Sequence, residues 1–128
     1  MREIKFRALL KADGRIYEVL SVDFLNKEAT LWDKETGVSF EADFDEIELI
    51  QYIGINDKNG VEIYEGYIIE FLENESGETW TAKIVFENLA FKALDVEDEC
   101  YEYDFNDLTD IEVIGNIYEN PELLKDIK

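Results

Sequence analysis

Apolar and polar residues alternate in short runs along most of the chain. In the first run, residues 3–9, the side chains of Ile4, Phe6 and Ala8 fall on one face, as they do in a half-buried strand. Asp13-Gly14 and Asn59-Gly60 separate runs and are typical of tight hairpin turns, which need positive φ. The pattern predicts further strands at residues 16–24, 29–32, 38–44, 51–55, 61–64, 67–72, 79–86, 91–96 and 111–117.

Two segments carry helix signals. Residues 43–50 fit a strand and a short helical turn, because apolar side chains recur there at both spacings. Near the C-terminus, Asn120 is a good N-cap residue, Pro121 suits the first helical position, and Glu122 complements the positive end of the helix dipole. We therefore expect a short helix at residues 121–126.

Short strands, frequent turns and a single proline predict the fold class. A chain of 128 residues has the usual size of one domain, and 46% hydrophobic residues suffice for a core. Strands at spacings of about ten residues are typical of antiparallel β architectures. We predict one mainly-β domain over residues 1–128, with an antiparallel barrel-like or highly curved sheet and a short C-terminal helix.

Charge narrows the classes of partner. The chain has 32 acidic and 12 basic residues, which gives a net charge of −20. Such a surface repels the phosphates of nucleic acids and anionic membranes, so we expect no direct binding to either. The sequence shows no apolar run of membrane-spanning length and no signal-peptide pattern, so we expect a cytoplasmic location.

The sequence offers little material for catalysis. It contains no histidine, which removes Ser-His-Asp and Cys-His mechanisms and the commonest ligand of transition metals. The single cysteine, Cys100, lies among carboxylates that disfavour the reactive thiolate. No glycine-rich phosphate loop is present. We expect neither an enzyme nor a bound metal or cofactor.

Two acidic clusters, residues 41–48 and 95–110, are the candidate binding chemistry. The second holds eight carboxylates and no basic residue. Carboxylates beside aromatic side chains such as Tyr101, Tyr103 and Phe105 are typical of an interface with a basic protein. Plain solubility is the competing interpretation. The candidate partner-binding face consists of Asp95, Glu97, Asp98, Glu99, Glu102, Asp104, Asp107 and Asp110.

Three stretches of the chain resemble the YopX-like family of phages and prophages. They are residues 2–8 (REIKFRA), 51–66 (QYIGINDKNGVEIYEG) and 113–124 (VIGNIYENPELL), which stand in family order. Two positions depart from the family pattern. Leu9-Leu10 stand where it usually has Trp-Asp, and Tyr67 stands where it usually has Asp, a residue that often bonds nearby backbone amides in turns.

The resemblance implies a β-dominated, often self-associating protein of a bacterial host cytoplasm, and it implies no reaction. We expect an accessory phage or prophage protein that is a non-enzymatic protein-binding or assembly module. The alternative is an acidic nucleic-acid mimic that blocks a host DNA-binding or defence protein. A homo-oligomer is expected because an all-β chain must cover its edge strands, and runs such as residues 83–86 carry little charge.

Overall fold

The computed structural model describes residues 4–125. Strands make up 60% of the structure, which forms two antiparallel sheets and one short helix, so the mainly-β prediction is confirmed. Contacts divide the described residues into two compact units, residues 4–51 and residues 52–125. The expectation of one domain over residues 1–128 stays a prediction.

The first unit is built on a sheet in which the strand order is β4-β3-β2-β1-β5. All pairings are antiparallel, as the hairpin turns predict. The last strand continues past residue 51, and its second half pairs with residues 62–64 inside the second unit. The strands are β1 Phe6–Leu10, β2 Arg15–Asp23, β3 Glu28–Asp33, β4 Val38–Asp43 and β5 Ile47–Asn56.

The core of the first unit mixes small and large side chains. Ala8 and Leu31 are fully buried, and the ring of Tyr17 packs edge-on against Phe40 with centroids 5.5 Å apart. Partly buried Phe44 packs against the same cluster. Small alanine side chains leave room for the aromatic rings in this core, in keeping with the close packing of protein interiors.

Residues 43–50, for which the sequence left a strand and a short helical turn as alternatives, contain both, one after the other. A 3₁₀ turn at Phe44–Glu46 leads directly into β5. The Glu46 carboxylate accepts a hydrogen bond from the backbone N–H of Asp43 at 2.9 Å, and its carbonyl accepts one from Lys11 at 2.9 Å. These bonds satisfy backbone groups where the chain turns from β4 into β5.

The second unit has a sheet with strand order β10-β9-β8-β7-β11. A second 3₁₀ turn, Phe105–Asp107, precedes β11. The predicted helix at 121–126 is present but starts at residue 122, and residue 126 lies outside the described residues. The elements are β6 Glu62–Tyr64, β7 Tyr67–Glu73, β8 Thr79–Glu87, β9 Ala90–Asp95, β10 Glu102–Tyr103, β11 Leu108–Asn116 and α1 Glu122–Lys125.

The sheet edges differ from the sequence prediction. Strand β8, which contains residues 83–86, pairs with β7 on one side and β9 on the other, so it is not an edge. The edges of this sheet are β10, which has two residues, and β11, whose register is broken by bulges after Thr109 and Val113. Short and bulged strands are common protections of an edge. Across the described residues no barrel closes, and barrel-like packing is not confirmed.

A turn at residues 57–60 docks onto β11 within the second unit. The buried carboxylate of Asp57 accepts hydrogen bonds from the backbone N–H groups of Asn59, Val61 and Val113 at 2.8 to 2.9 Å. The N–H of Lys58 donates to the carbonyl of Ile111 at 2.8 Å. Burial alone would raise the pKa of the Asp57 carboxyl, but the three N–H donors outweigh it and hold the pKa below its ordinary value.

Gly66 is required by its position. Its φ is +87°, and a Cβ there would lie 2.6 Å from the ring of Tyr118. Its backbone also joins two parts of the unit, because its N–H donates to Ile84 and its carbonyl accepts from Ile117. The neighbouring departure from the family pattern, Tyr67, is buried with its ring 5.5 Å from that of Tyr64. Tyr67 therefore makes a ring contact at the position where the family usually has Asp, a residue that bonds backbone amides in turns.

Candidate functional site

A cleft opens at one end of the buried sheet face in the second unit. Strand register places Phe71 opposite Trp80 and Ala82 opposite Asp95, so these side chains share that face. Phe71 and Ala82 are buried, whereas Trp80 is half-buried where the face meets solvent. The cleft has a volume of about 320 Å³ and is lined by Glu73, Trp80, Asp95, Glu97, Asp98, Tyr101 and Tyr103.

Asp95 fixes the backbone at the base of the cleft. One carboxylate oxygen accepts the hydroxyl proton of Tyr103 at 2.8 Å. The other accepts the backbone N–H groups of Glu97 at 3.1 Å and Asp98 at 2.9 Å. Only 7% of the Asp95 surface is exposed, so these three donors compensate a carboxylate that burial would otherwise penalise. Asp95 therefore positions the loop that follows it.

Aromatic rings form the apolar part of the cleft. The Tyr103 ring lies with its centroid 4.8 Å from that of Phe71 and 4.8 Å from that of Tyr101. Burial, followed by the hydrogen bond to Asp95, raises the pKa of the Tyr103 phenol far above its ordinary value, so this group stays neutral. Tyr101 is half exposed and presents its ring to solvent at the cleft.

The rim of the cleft carries open carboxylates. One Asp98 oxygen accepts the N–H of Cys100 at 3.1 Å, and Glu73 accepts the hydroxyl of Ser76 at 2.9 Å. Among residues 4–125, no hydrogen bond or ion pair to the side chain of Glu97 is found, nor any ion pair to Asp98. These two side chains have acceptor oxygens available to a cation from outside.

Two lysines near the acidic run at residues 95–110 already form ion pairs with glutamates of that run. Lys83 forms an ion pair with Glu99, and the ammonium of Lys92 lies 3.7 Å from the carboxylate of Glu102. Both lysine side chains are more than four-fifths buried, and their ammonium groups are held by these glutamates. Glu99 and Glu102 are therefore compensated within the protein, unlike the rim carboxylates.

The structure divides the eight predicted face residues into groups. Glu97 and Asp98 line the cleft and are exposed, whereas Asp95 lines it but is buried, and the role of all three in binding a partner stays a prediction. The burial of Asp95 is not visible in the sequence, because a carboxylate that accepts backbone N–H groups looks the same there as a solvated one. The other five do not line the cleft: Glu99 and Glu102 pair with lysines, Asp104 caps the second 3₁₀ turn, Asp107 ends it, and Asp110 lies at a bulge of β11.

Two lining residues were not assigned to the site from sequence. Glu73 ends β7, and Trp80 stands near the start of β8, across the turn that joins the two strands. Their approach to residues 95–103 depends on the order β9-β8-β7, which a local pattern does not contain. One signal was available, since Ala82 and Ala93 are small residues at strand centres and leave the face open to aromatic neighbours.

No group of three or more acidic or cysteine side chains within residues 4–125 is arranged to hold a metal ion. No helix found in that range is long and apolar enough to cross a bilayer.

Comparison with known proteins identifies the family. A family model described as YopX protein matches residues 5–125. The chain belongs to the YopX family. This YopX family member is also similar to a solved structure, the crystal structure of protein EF1440 from Enterococcus faecalis, at 26% identity and a TM-score of 0.67. The similarity covers 97% of this chain and 99% of that one. No curated protein matches the chain.

Membership confirms the resemblance seen in sequence, and by itself it assigns no reaction and no partner. The YopX stretch at residues 51–66 holds Asp57 and Gly66, whose roles are a docked turn and a close backbone approach. In the stretch at 113–124, a Cβ at Gly115 would lie 2.7 Å from the side chain of Asn120. None of the signature residues lines the cleft. The signature therefore describes the scaffold of the YopX fold.

Proposed function

We propose that this YopX family member is a non-enzymatic protein-binding module whose cleft receives a basic segment of a partner. The observation that carries the proposal is the combination of exposed Tyr101 and half-buried Trp80 with the open carboxylates of Glu97 and Asp98. Aromatic side chains are the usual anchors of protein interfaces, and paired carboxylates select a positively charged partner.

Electrostatics supports a basic partner over a neutral one. The net charge of −20 raises the local concentration of cations around the whole protein and speeds the approach of a basic chain. The rim carboxylates of Glu97 and Asp98 are then the groups that bind the basic chain. Because screening length at physiological salt is about 8 Å, the on-rate should fall steeply as salt rises.

The setting of this activity is part of the same proposal. The resemblance to phage and prophage proteins supports an accessory protein that acts in the cytoplasm of a bacterial host. Homo-oligomerisation remains a prediction, and light scattering at high protein concentration and moderate salt tests it. A monomeric mass under those conditions would contradict it.

Affinity capture from a host lysate tests the proposed binding. We compare the unmodified protein with Glu97→Gln/Asp98→Asn, which neutralises the rim, and with Glu41→Gln/Asp45→Asn, which makes the same charge change at exposed positions of the first unit. The proposal expects a set of basic proteins that the first variant loses and the second retains. Identical partners for all three proteins, or no specific partner for any, would overturn it.

A further inference from the structure

We infer that the cleft recognises the guanidinium group of an arginine side chain on the partner. This inference rests on the proposed function and names the chemistry of its central contact. The cleft brings together two features that arginine uses at once, aromatic faces and carboxylate oxygens. Guanidinium is planar, stacks on aromatic rings and bonds carboxylates through a fixed fork of N–H donors.

The size of the cleft suits one side chain. Its volume of about 320 Å³ lies at the lower end of the range of small-molecule sites, which run from about 300 to 1,000 Å³. An adjoining hollow of about 230 Å³ shares Trp80, Asp95 and Glu97 with the cleft and adds Thr79, Thr81 and Val96. This hollow offers room for the residues that flank the arginine on an extended chain.

The donors and acceptors also match. Three lining carboxylates, those of Glu73, Glu97 and Asp98, belong to residues that are not buried, whereas the Asp95 carboxylate already accepts three hydrogen bonds within the protein. Glu97 and the second oxygen of Asp98 make no hydrogen bond within the described residues, so they can accept from a fork of N–H groups. A lysine ammonium is a compact and strongly hydrated charge, which gains less from aromatic faces than guanidinium does.

The nearby lysine side chains of the protein, Lys83 and Lys92, do not occupy the cleft. Lys83 and Lys92 are held by Glu99 and Glu102, outside the residues that line the cleft. A cation from the partner therefore meets carboxylates with open oxygens and replaces only water. Exposed ion pairs contribute little alone, and the aromatic walls are what make one residue type preferred.

Three blocked tripeptides test the inference on the full chain: Ac-Gly-Arg-Gly-NH₂, its lysine counterpart, and its citrulline counterpart, which keeps the shape of arginine without the charge. Binding is followed by NMR through the backbone amides of Glu97, Asp98 and Cys100. We expect saturable shifts with the arginine peptide, affinity lower by about threefold or more for lysine, and no saturable shift for citrulline.

Two variants that remove an aromatic ring distinguish binding at the cleft from nonspecific binding to exposed aromatic side chains. Tyr101→Ala should weaken arginine binding by about tenfold. Phe86→Ala is the matched control because Phe86 is 51% exposed and its ring lies 5.0 Å from that of Phe91, much as Tyr101 is 50% exposed and its ring lies 4.8 Å from that of Tyr103. The control should change affinity by less than about twofold.

The outcomes distinguish this inference from the proposed function. Equal affinity for arginine and lysine, or saturable binding of citrulline, would overturn the guanidinium assignment while a basic partner remained supported. If Tyr101→Ala and Phe86→Ala weakened binding equally, the peptide would not bind specifically at the cleft, and the inference would be wrong. If neither charged peptide binds and lysate capture also yields no partner, both the inference and the proposed function fail.

Discussion

Asp57 and Asp95 both stand at the end of a strand in the second unit, both are buried, and each accepts three hydrogen bonds. Their partners differ. All three donors to Asp57 are backbone N–H groups, one of them from β11, far along the chain. Asp95 takes two N–H groups from the next residues and a side-chain hydroxyl from Tyr103. The first arrangement joins distant strands, and the second shapes a local loop.

The surroundings of the two carboxylates differ in the same sense. Beside Asp57, the ammonium of Lys58 lies 3.6 Å from the carboxylate of Glu112 on β11. The charge of the lysine is therefore paired, and the turn is closed onto β11. Beside Asp95, the loop presents Glu97 and Asp98 to solvent next to aromatic rings. Asp57 and Val113, which join the turn at residues 57–60 to β11, both belong to the YopX signature. The residues that line the cleft, where we propose that a partner binds, lie outside that signature.

The largest effect is expected at the signature glycine. Gly66→Ala forces an alanine to a φ of +87° and drives its Cβ into the Tyr118 ring, so it should lower the free energy of unfolding by about 3 kcal/mol or more. Gly77→Ala is the control, since Gly77 also has a positive φ but nothing lies within 4 Å. It should cost roughly 1 to 2 kcal/mol. Urea unfolding measures both, and equal losses would remove the role assigned to the Tyr118 contact.

The two aspartates should respond unequally to the same change. Asp57→Asn leaves one backbone N–H facing an amide NH₂ that cannot accept, so we expect a loss of about 2 kcal/mol. Asp95→Asn can keep its oxygen toward the two N–H groups, while the Tyr103 hydroxyl rotates to accept from the new NH₂. That variant should lose less than about 1 kcal/mol. A loss at Asp95 as large as that at Asp57 would end the distinction between the two carboxylates.

The Asp57 effect should depend on pH. Its pKa is lowered by folding, so the carboxylate stabilises the folded state above its unfolded pKa of about 3.9, and that stability is lost as pH falls through the folded value. The difference in unfolding free energy between the unmodified protein and Asp57→Asn should therefore shrink between neutral pH and about pH 2. Using the difference cancels the other carboxylates, which are common to both proteins. A difference that stays constant across this range would contradict the assigned pKa direction.

Tyr103→Phe should have a small effect, similar in size to that of Asp95→Asn. It removes one hydrogen bond to Asp95 but leaves the two backbone donors and the ring contact with Phe71, so the loss should be about 1 kcal/mol. Thermal unfolding measures it. A much larger loss would show that the hydroxyl, not the backbone pair, holds the loop after Asp95.

Local patterns predicted most strands because alternation and turn residues act over a few positions. The 3₁₀ turn and strand in residues 43–50 and the helix start near Glu122 follow from such signals. The sheet order could not be predicted, since it is decided by long-range pairing, and this led to the wrong assignment of residues 83–86 to an edge. Two lining residues, Glu97 and Asp98, belong to the charge run that is visible in the sequence, whereas the place of Glu73 depends on the pairing of β7 with β8.

The two tryptophans allow the central claim, that a basic partner binds at the cleft, to be tested within one molecule. Trp80 lines the cleft, whereas Trp32 lies on β3 of the first unit. The measurement is an NMR titration with a peptide that carries both arginine and lysine, followed at the two indole N–H signals. The account predicts a saturable shift of the Trp80 signal, weakened by salt, with the Trp32 signal unchanged. Movement of neither signal, or equal movement of both, would contradict it.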